Sequence, residues 1–322
     1  MKLKAKVLVG LSILAAGVMS LSAPGIAQQL PTPEQLAQYL PPLTPPPTPA
    51  QAAQADQRQG AFVDVNGARI FYQVAGHGTP LLLIHGFPLS GQLYQSQLAG
   101  LSSHFQVITP DLRGFGKSEA PDGNASIATY AQDMLALLDR LGIKTAIIGG
   151  HSMGGQITLE MYKQQPARFA GMLLIDTNPM GASFVEKGQW QGYREQGANA
   201  GVSSIVPIIE PQLLTGATRA TDSAKSTTMM NILAEASVNG ILGGGQALAT
   251  RPDYTSLLGS IKVPTLVVIG LEDPVYAFPI SQMAKAAIPN AQLAVILGAS
   301  HASIFERPTL ANQAILNWAS VH

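Results

Sequence analysis

The chain has 322 residues, of which 46% are apolar and 12% charged, and its formal net charge is zero. That length suits one large domain or two small ones with a sizeable core. The charge balance excludes the basic field of a nucleic-acid binder and an acidic field for a cationic partner. Cysteine is absent, which excludes disulfides, cysteine metal sites, a cysteine nucleophile and a lipid-anchored N-terminus.

In chain order, Lys2, Lys4 and Lys6 precede an apolar run from Val7 to Leu21. Gly25-Ile26-Ala27 then sets small residues where a signal peptidase cuts. This is the layout of a secretory signal peptide over residues 1–27. A single membrane anchor is the competing reading, but the run is about 15 residues where roughly 20 are needed to span a bilayer. The expectation is cleavage after Ala27, export to the periplasm or the medium, and no stable membrane span afterwards. Residues 28–59 are rich in Pro, Ala and Gln, with Pro41-Pro42 and Pro45-Pro46-Pro47. Such a stretch favours extended polyproline conformation and has little to bury. It reads as a disordered linker, with a PxxP partner ligand as the alternative.

The folded part should begin near Gly60. Phe62 to Val65 and Arg69 to Val74 are β-runs split by Asn66-Gly67, a hairpin signal. Leu81 to His85 and Val107 to Pro110 read as strands, and Ile127 to Leu141 as a helix with Ile127, Tyr130, Met134, Leu137 and Leu141 on one stripe. Then come a strand (Ala146 to Gly149), a helix (Met153 to Gln164) and a strand (Met172 to Asp176). After a long interval follow a strand (Thr265 to Gly270), a helix (Ile280 to Ala287), a strand (Ala291 to Leu297) and a last helix (Thr309 to Ser320). A hairpin followed by β-α repeats predicts an α/β fold with a mostly parallel central sheet and helices on both faces.

The interval 178–263 shows helical and Gly-rich polar stretches and no sheet strand. Roughly 80 residues is too long for a plain connection, so it reads as a helical cap between core segments 60–177 and 264–322. Its best apolar face is Met229, Met230, Ile232, Leu233 and Ala236, and Gly243-Gly244-Gly245 reads as a loop or hinge.

The sharpest motif is Gly150-His151-Ser152-Met153-Gly154, a G-x-S-x-G between a strand and a helix. The spacing is steric in origin: the serine occupies a tight strand-to-helix turn, and the flanking glycines let backbone pass close by. The helix start aims N–H groups at a developing anion. Three further motifs occur with it: His85-Gly86-Phe87-Pro88 and Asp111-Leu112-Arg113-Gly114-Phe115-Gly116-Lys117-Ser118 before it, and Gly270-Leu271-Glu272-Asp273 with Gly298-Ala299-Ser300-His301 after it.

On these motifs, in this order, residues 60–322 resemble the α/β-hydrolase superfamily, and within it the esterase and non-haem haloperoxidase-like branch. The resemblance implies a serine hydrolase whose nucleophile is Ser152. A serine hydroxyl needs a base, and the base needs an orienting acid. His301, in a loop before the final helix, is the base in the Ser…Asp…His order. Asp273 is the acid, with Glu272 and Asp176 as rivals. His151 reads as packing or pocket lining, and His85 as shaping its own turn. The resemblance assigns the oxyanion hole to the main-chain N–H groups of Phe87 and Met153, since Pro88 has none. Arg113 fits a structural salt bridge, with a substrate-anion ligand as the alternative.

Serine at position 152 disfavours the aspartate chemistry of related haloalkane dehalogenases and epoxide hydrolases. The expected substrate is a small or medium apolar ester. Perhydrolysis, lactone hydrolysis or carbon–carbon bond hydrolysis are alternatives on the same residues, and a non-catalytic binding protein is an alternative of another class. No cofactor or metal is expected. Met229, Met230 and Ile232 are candidates for the pocket, or else pack the cap onto the core.

Overall fold

The computed structural model describes residues 31–32, 35–36, 38–39 and 60–322. The expected leader, 1–27, lies outside the described residues, as does the expected linker apart from those positions before residue 60. The chain divides into two compact units, Met1–Leu40 and Pro41–His322. In the first, the Thr32 N–H donates to Gln35 Oε1 at 2.8 Å and the Leu36 N–H to the Thr32 carbonyl at 2.9 Å, one helical turn. All that follows concerns the second.

Strands β1 (Ala61–Val65) and β2 (Ala68–Ala75) form the expected hairpin. Asn66 and Gly67 both take positive φ, 46° and 76°, as a two-residue turn matched to strand twist requires. Strands β3 (Thr79–Ile84), β4 (Phe105–Pro110), β5 (Ala146–His151), β6 (Phe169–Ile175), β7 (Thr265–Gly270) and β8 (Ala291–Ile296) complete an eight-stranded sheet of order β1-β2-β4-β3-β5-β6-β7-β8. Pairing is antiparallel for β1–β2 and β2–β4 and parallel from β4 to β8.

Helix α1 (Gln95–Leu101) precedes β4, α2 (Ile127–Arg140) precedes β5, and α3 (Met153–Gln164) follows it. The α2 stripe is as read from sequence, with Ile127, Tyr130, Met134 and Leu137 buried, and Ser126 caps its start by accepting from the Thr129 N–H. Central β3 shows why the sheet holds: Leu81, Leu82, Leu83 and Ile84 are each 0% exposed. Each such side chain contributes roughly 1.5–3 kcal/mol by leaving water.

Between β6 and β7 lie α4 (Phe184–Ala200), α5 (Val206–Leu213), α6 (Gly216–Thr221), α7 (Ser223–Ala234), α8 (Val238–Ala249) and α9 (Thr255–Leu258), with no strand among them. The chain closes with α10 (Phe278–Ala287), α11 (Ser303–Glu306) and α12 (Pro308–Ala319). No helix among the described residues is long and apolar enough to cross a membrane.

One expectation is corrected. Gly243, Gly244 and Gly245 are not a loop or hinge but lie buried inside α8. Side chains cannot fit there: a Cβ on Gly244 would sit 2.6 Å from Phe87 Cδ2, and one on Gly245 2.6 Å from Arg194 Cγ. The glycines let α8 pack tightly on α4 and on the ring of Phe87, and that tertiary contact outweighs their poor helix propensity.

Candidate active site

The site is built at the carboxyl ends of the parallel strands, where an open α/β sheet places its ligands. Ser152 lies between β5 and α3 with φ 53° and ψ −117°, a conformation rare for a residue with a side chain. The glycines around it are sterically required. A Cβ on Gly150 would lie 2.2 Å from the Gly154 carbonyl carbon, and one on Gly154 2.0 Å from the Ile84 carbonyl oxygen. The turn is held by the Ser152 N–H donating to the Ile175 carbonyl at 2.9 Å and the Thr177 hydroxyl donating to the Ser152 carbonyl at 2.6 Å.

The loop after β3 lies against this turn. A Cβ on Gly86 would sit 2.9 Å from the Ser152 Cβ, so only glycine allows the approach. His85 fixes that loop. Its Nε2 accepts from the Leu112 N–H at 2.8 Å, so its Nδ1 carries the proton donated to the Gly86 carbonyl at 2.8 Å. Neither main-chain N–H of Phe87 nor of Met153 meets a protein acceptor among the described residues. The Phe87 ring packs edge-on against Phe115 at 6.0 Å and Trp190 at 5.7 Å between centroids.

His301, in the loop after β8, faces Asp273, in the loop after β7: Nδ1 lies 2.8 Å from Asp273 Oδ2, with both side chains buried. The other Asp273 oxygen accepts from the N–H groups of Val275 at 2.7 Å and Tyr276 at 3.0 Å. Hydrogen bonding of Nδ1 to the carboxylate leaves Nε2 as the unprotonated nitrogen of a neutral ring. Burial alone would lower the His301 pKa, but the Asp273 charge and hydrogen bond, with Asp176 beyond, carry it above its ordinary value.

The neighbouring histidine joins the two halves. His151 Nε2 donates to the His301 carbonyl at 2.7 Å, with ring centroids 4.8 Å apart. Burial first, then the His301 charge, hold His151 well below the usual imidazole range, so it is neutral.

Neither rival acid hydrogen-bonds His301 among the described residues. Asp176, at positive φ, accepts from the Gly270 N–H at 2.7 Å and from the Ser303 N–H at 3.1 Å and hydroxyl at 2.5 Å. It thus ties the end of β7 to the loop bearing His301. Burial, reinforced by the Asp273 charge, pushes its pKa up to about 8. Glu272 uses its N–H on the Ala299 carbonyl at 2.9 Å, and its carboxyl neighbours Glu306 and Arg307. Arg113 forms a two-pronged ion pair with Asp133, Nε to Oδ2 at 2.6 Å and Nη2 to Oδ1 at 2.7 Å. Asp111 braces the same loop, accepting from Gly91 and Lys117 N–H groups at 2.7 and 2.8 Å.

The expected lining residues divide. Met229 and Ile232 are buried on α7, which packs on α5 and α6, whereas Met230 is 40% exposed on its outer side. The aromatic residue on the Phe87 ring is instead Trp190 of α4. No sequence signal marks it, because α4 buries few residues and its surroundings are Gln, Gly and Lys. Among the described residues no cluster of three or more His, Asp or Glu is placed to hold a metal ion.

The model of the family described as alpha/beta hydrolase fold matches residues 79–308. A non-heme chloroperoxidase from Streptomyces lividans is 27% identical over 80% of this chain and 98% of its own length. A 3-oxoadipate enol-lactonase from Acinetobacter baylyi is 30% identical over 67% of this chain and 79% of its own. Among solved structures, a thermophilic esterase from Thermogutta terrifontis aligns with a TM-score of 0.79 at 30% identity, covering 82% of this chain and 98% of that one.

Proposed function

Since the chain belongs to the α/β-hydrolase family, we propose that it is an exported serine hydrolase that cleaves small or medium apolar carboxylic esters through an acyl-serine intermediate. One observation carries the reading. The buried Asp273–His301 pair, 2.8 Å apart, is tied through the His301 carbonyl to the residue preceding Ser152.

In this mechanism Ser152 Oγ attacks the ester carbonyl carbon while His301 Nε2 takes its proton, and Asp273 stabilises the imidazolium that results. The carbonyl π pair moves onto oxygen, and the N–H groups of Phe87 and Met153 receive the oxyanion. Each such donor is typically worth about 2.7–4 kcal/mol in the transition state. Collapse expels the alcohol, which takes the proton from His301. Water then attacks the acyl-enzyme by the same route, with His301 as base, and releases the acid and free Ser152.

The test is a chain-length series of nitrophenyl esters read as kcat/KM. Turnover that peaks at short or medium acyl groups and vanishes in Ser152→Ala and His301→Ala supports the proposal. No turnover across the panel would leave a binding role on the same fold. Perhydrolysis is a second reading, favoured by the chloroperoxidase relative. In it peroxide, in place of water, attacks the acyl-enzyme. Peracid formation from acetate and hydrogen peroxide, measured beside ester turnover, separates the two. The Lys-rich, apolar, small-residue leader supports export, and the mass of the mature chain, beginning at Gln28, tests it.

A further inference from the structure

The loop that carries His301 is not held by the core alone. Ser300 and Ala302 flank it on either side, and both are hydrogen-bonded to the helical insertion. The Ser300 hydroxyl donates to the Gln212 carbonyl at 2.9 Å, and the Ala302 N–H donates to the Leu213 carbonyl at 3.0 Å. Glu306, 0% exposed, closes the connection. Its Oε2 accepts from the Ser300 N–H at 2.6 Å, and its Oε1 accepts from the Thr215 N–H at 2.8 Å and hydroxyl at 2.7 Å. Lys225 Nζ, from α7, donates to the Glu306 carbonyl at 3.0 Å.

A buried carboxylate is stable only where donors replace the water it has lost. Here those donors come from two places: the loop of the base histidine and the α5–α6 junction of the insertion. The interaction with each is charge-assisted, so separating the two surfaces would strand part of the carboxylate.

We infer that Glu306 is a positioning residue that locks the base-bearing loop to the helical insertion, so that the seating of the insertion sets the placement of His301. This rests on His301 being the base. The insertion also carries Trp190, which touches Phe87. One body therefore bears on both the oxyanion loop and the base, and a substrate that shifts the insertion shifts the catalytic geometry with it. A misplacement of about 1 Å in such a geometry can cost about a hundredfold in rate.

The test uses Glu306→Gln, which keeps size but turns an NH2 group toward one of the two donor sets. A second variant, Thr215→Val, removes a hydroxyl that lies in the insertion, and Thr215→Ser restores it. Two measurements are made on each full-length protein. The first is kcat and KM per active site titrated with a phosphonate. The second is the NMR titration of the His301 imidazole, assigned with His301→Gln, which can be read whether or not ester is turned over. The expected result is a fall in kcat per titrated site of about tenfold or more, with KM changed much less. The His301 pKa moves down toward its ordinary value in Glu306→Gln and Thr215→Val, and Thr215→Ser behaves as wild type. Unchanged kcat per titrated site and an unchanged His301 titration, with only a lower Tm, would overturn the inference. A wild-type protein that neither turns over ester nor takes the phosphonate defeats the base assignment instead. The imidazole titration then decides alone whether Glu306 controls the loop.

Discussion

His151 and His301 are joined ring to main chain: His151 Nε2 donates to the His301 carbonyl oxygen at 2.7 Å, inside the protein. The residue beside the proposed nucleophile thus fixes the backbone of the proposed base. Burial holds the His151 pKa well below the imidazole range, so it resists taking a proton and serves as a hydrogen-bond donor.

Replacing His151 with Leu leaves the His301 carbonyl buried without its donor, at a cost of about 1–3 kcal/mol. Ester kcat should fall roughly tenfold as the loop loosens. His151→Gln, which can still donate, should recover much of both. Urea unfolding and steady-state kinetics on the two variants check this.

For Asp273→Asn the expected fall in kcat is on the order of 10⁴, the size seen when a triad acid becomes an amide. The pH profile should move as well. In the proposed mechanism neutral His301 is the active form, so kcat/KM should rise with pH through its raised pKa. Removing the carboxylate charge removes what stabilises the imidazolium, and the acid limb should shift to lower pH while the plateau drops. A limb that stays in place would disconnect Asp273 from the base.

Asp176 makes its own demand on stability. Its carboxyl ionises near its ordinary value in the unfolded chain but only at about 8 when folded. Between those values the folded state holds a proton that the unfolded state has released. This group's contribution to stability is therefore fully present below the ordinary carboxyl range and is lost as pH rises toward 8. Asp176→Asn should flatten that decline, while one of the Gly270 and Ser303 N–H donors loses its acceptor at a cost of about 1–3 kcal/mol. Unfolding free energies measured across that pH range for both proteins test the sign.

Gly244 is a packing contact against the proposed oxyanion loop. Gly244→Ala puts a methyl group 2.6 Å from Phe87 Cδ2 and 2.9 Å from Phe115 Cζ. Overpacking of this kind costs about 1–3 kcal/mol. The strain falls on the Phe87 ring, so kcat should drop along with Tm. A Tm change with wild-type kinetics would place the Phe87 N–H outside the mechanism.

Much of this could be read from residues alone, for definable reasons. The strand-turn-helix around Ser152 is legible because sterics demand glycine at 150 and 154. The buried strands are legible because they are continuous apolar runs. The α2 stripe follows the helical period, and the Arg113 ion pair fits a loop arginine beside α2. Legibility fails where tertiary contact overrides local pattern. Gly243 to Gly245 imitate a loop but fill a tight helix crossing. Met230 belongs to an apolar face by spacing, yet that face turns it outward. Trp190 sits in a polar helix with no periodic signal. Glu306 belongs to no motif, and only the fold brings it to Thr215 and Ser300.

Covalent labelling decides whether Ser152 is a nucleophile activated by His301 and Asp273. The protein is treated with an alkyl fluorophosphonate, digested and mapped by mass spectrometry, alongside Ser152→Ala. One adduct is expected, on Ser152, with ester turnover lost in proportion to labelling and no adduct in the variant. An adduct that persists in Ser152→Ala, or a fully labelled Ser152 with turnover intact, would contradict it.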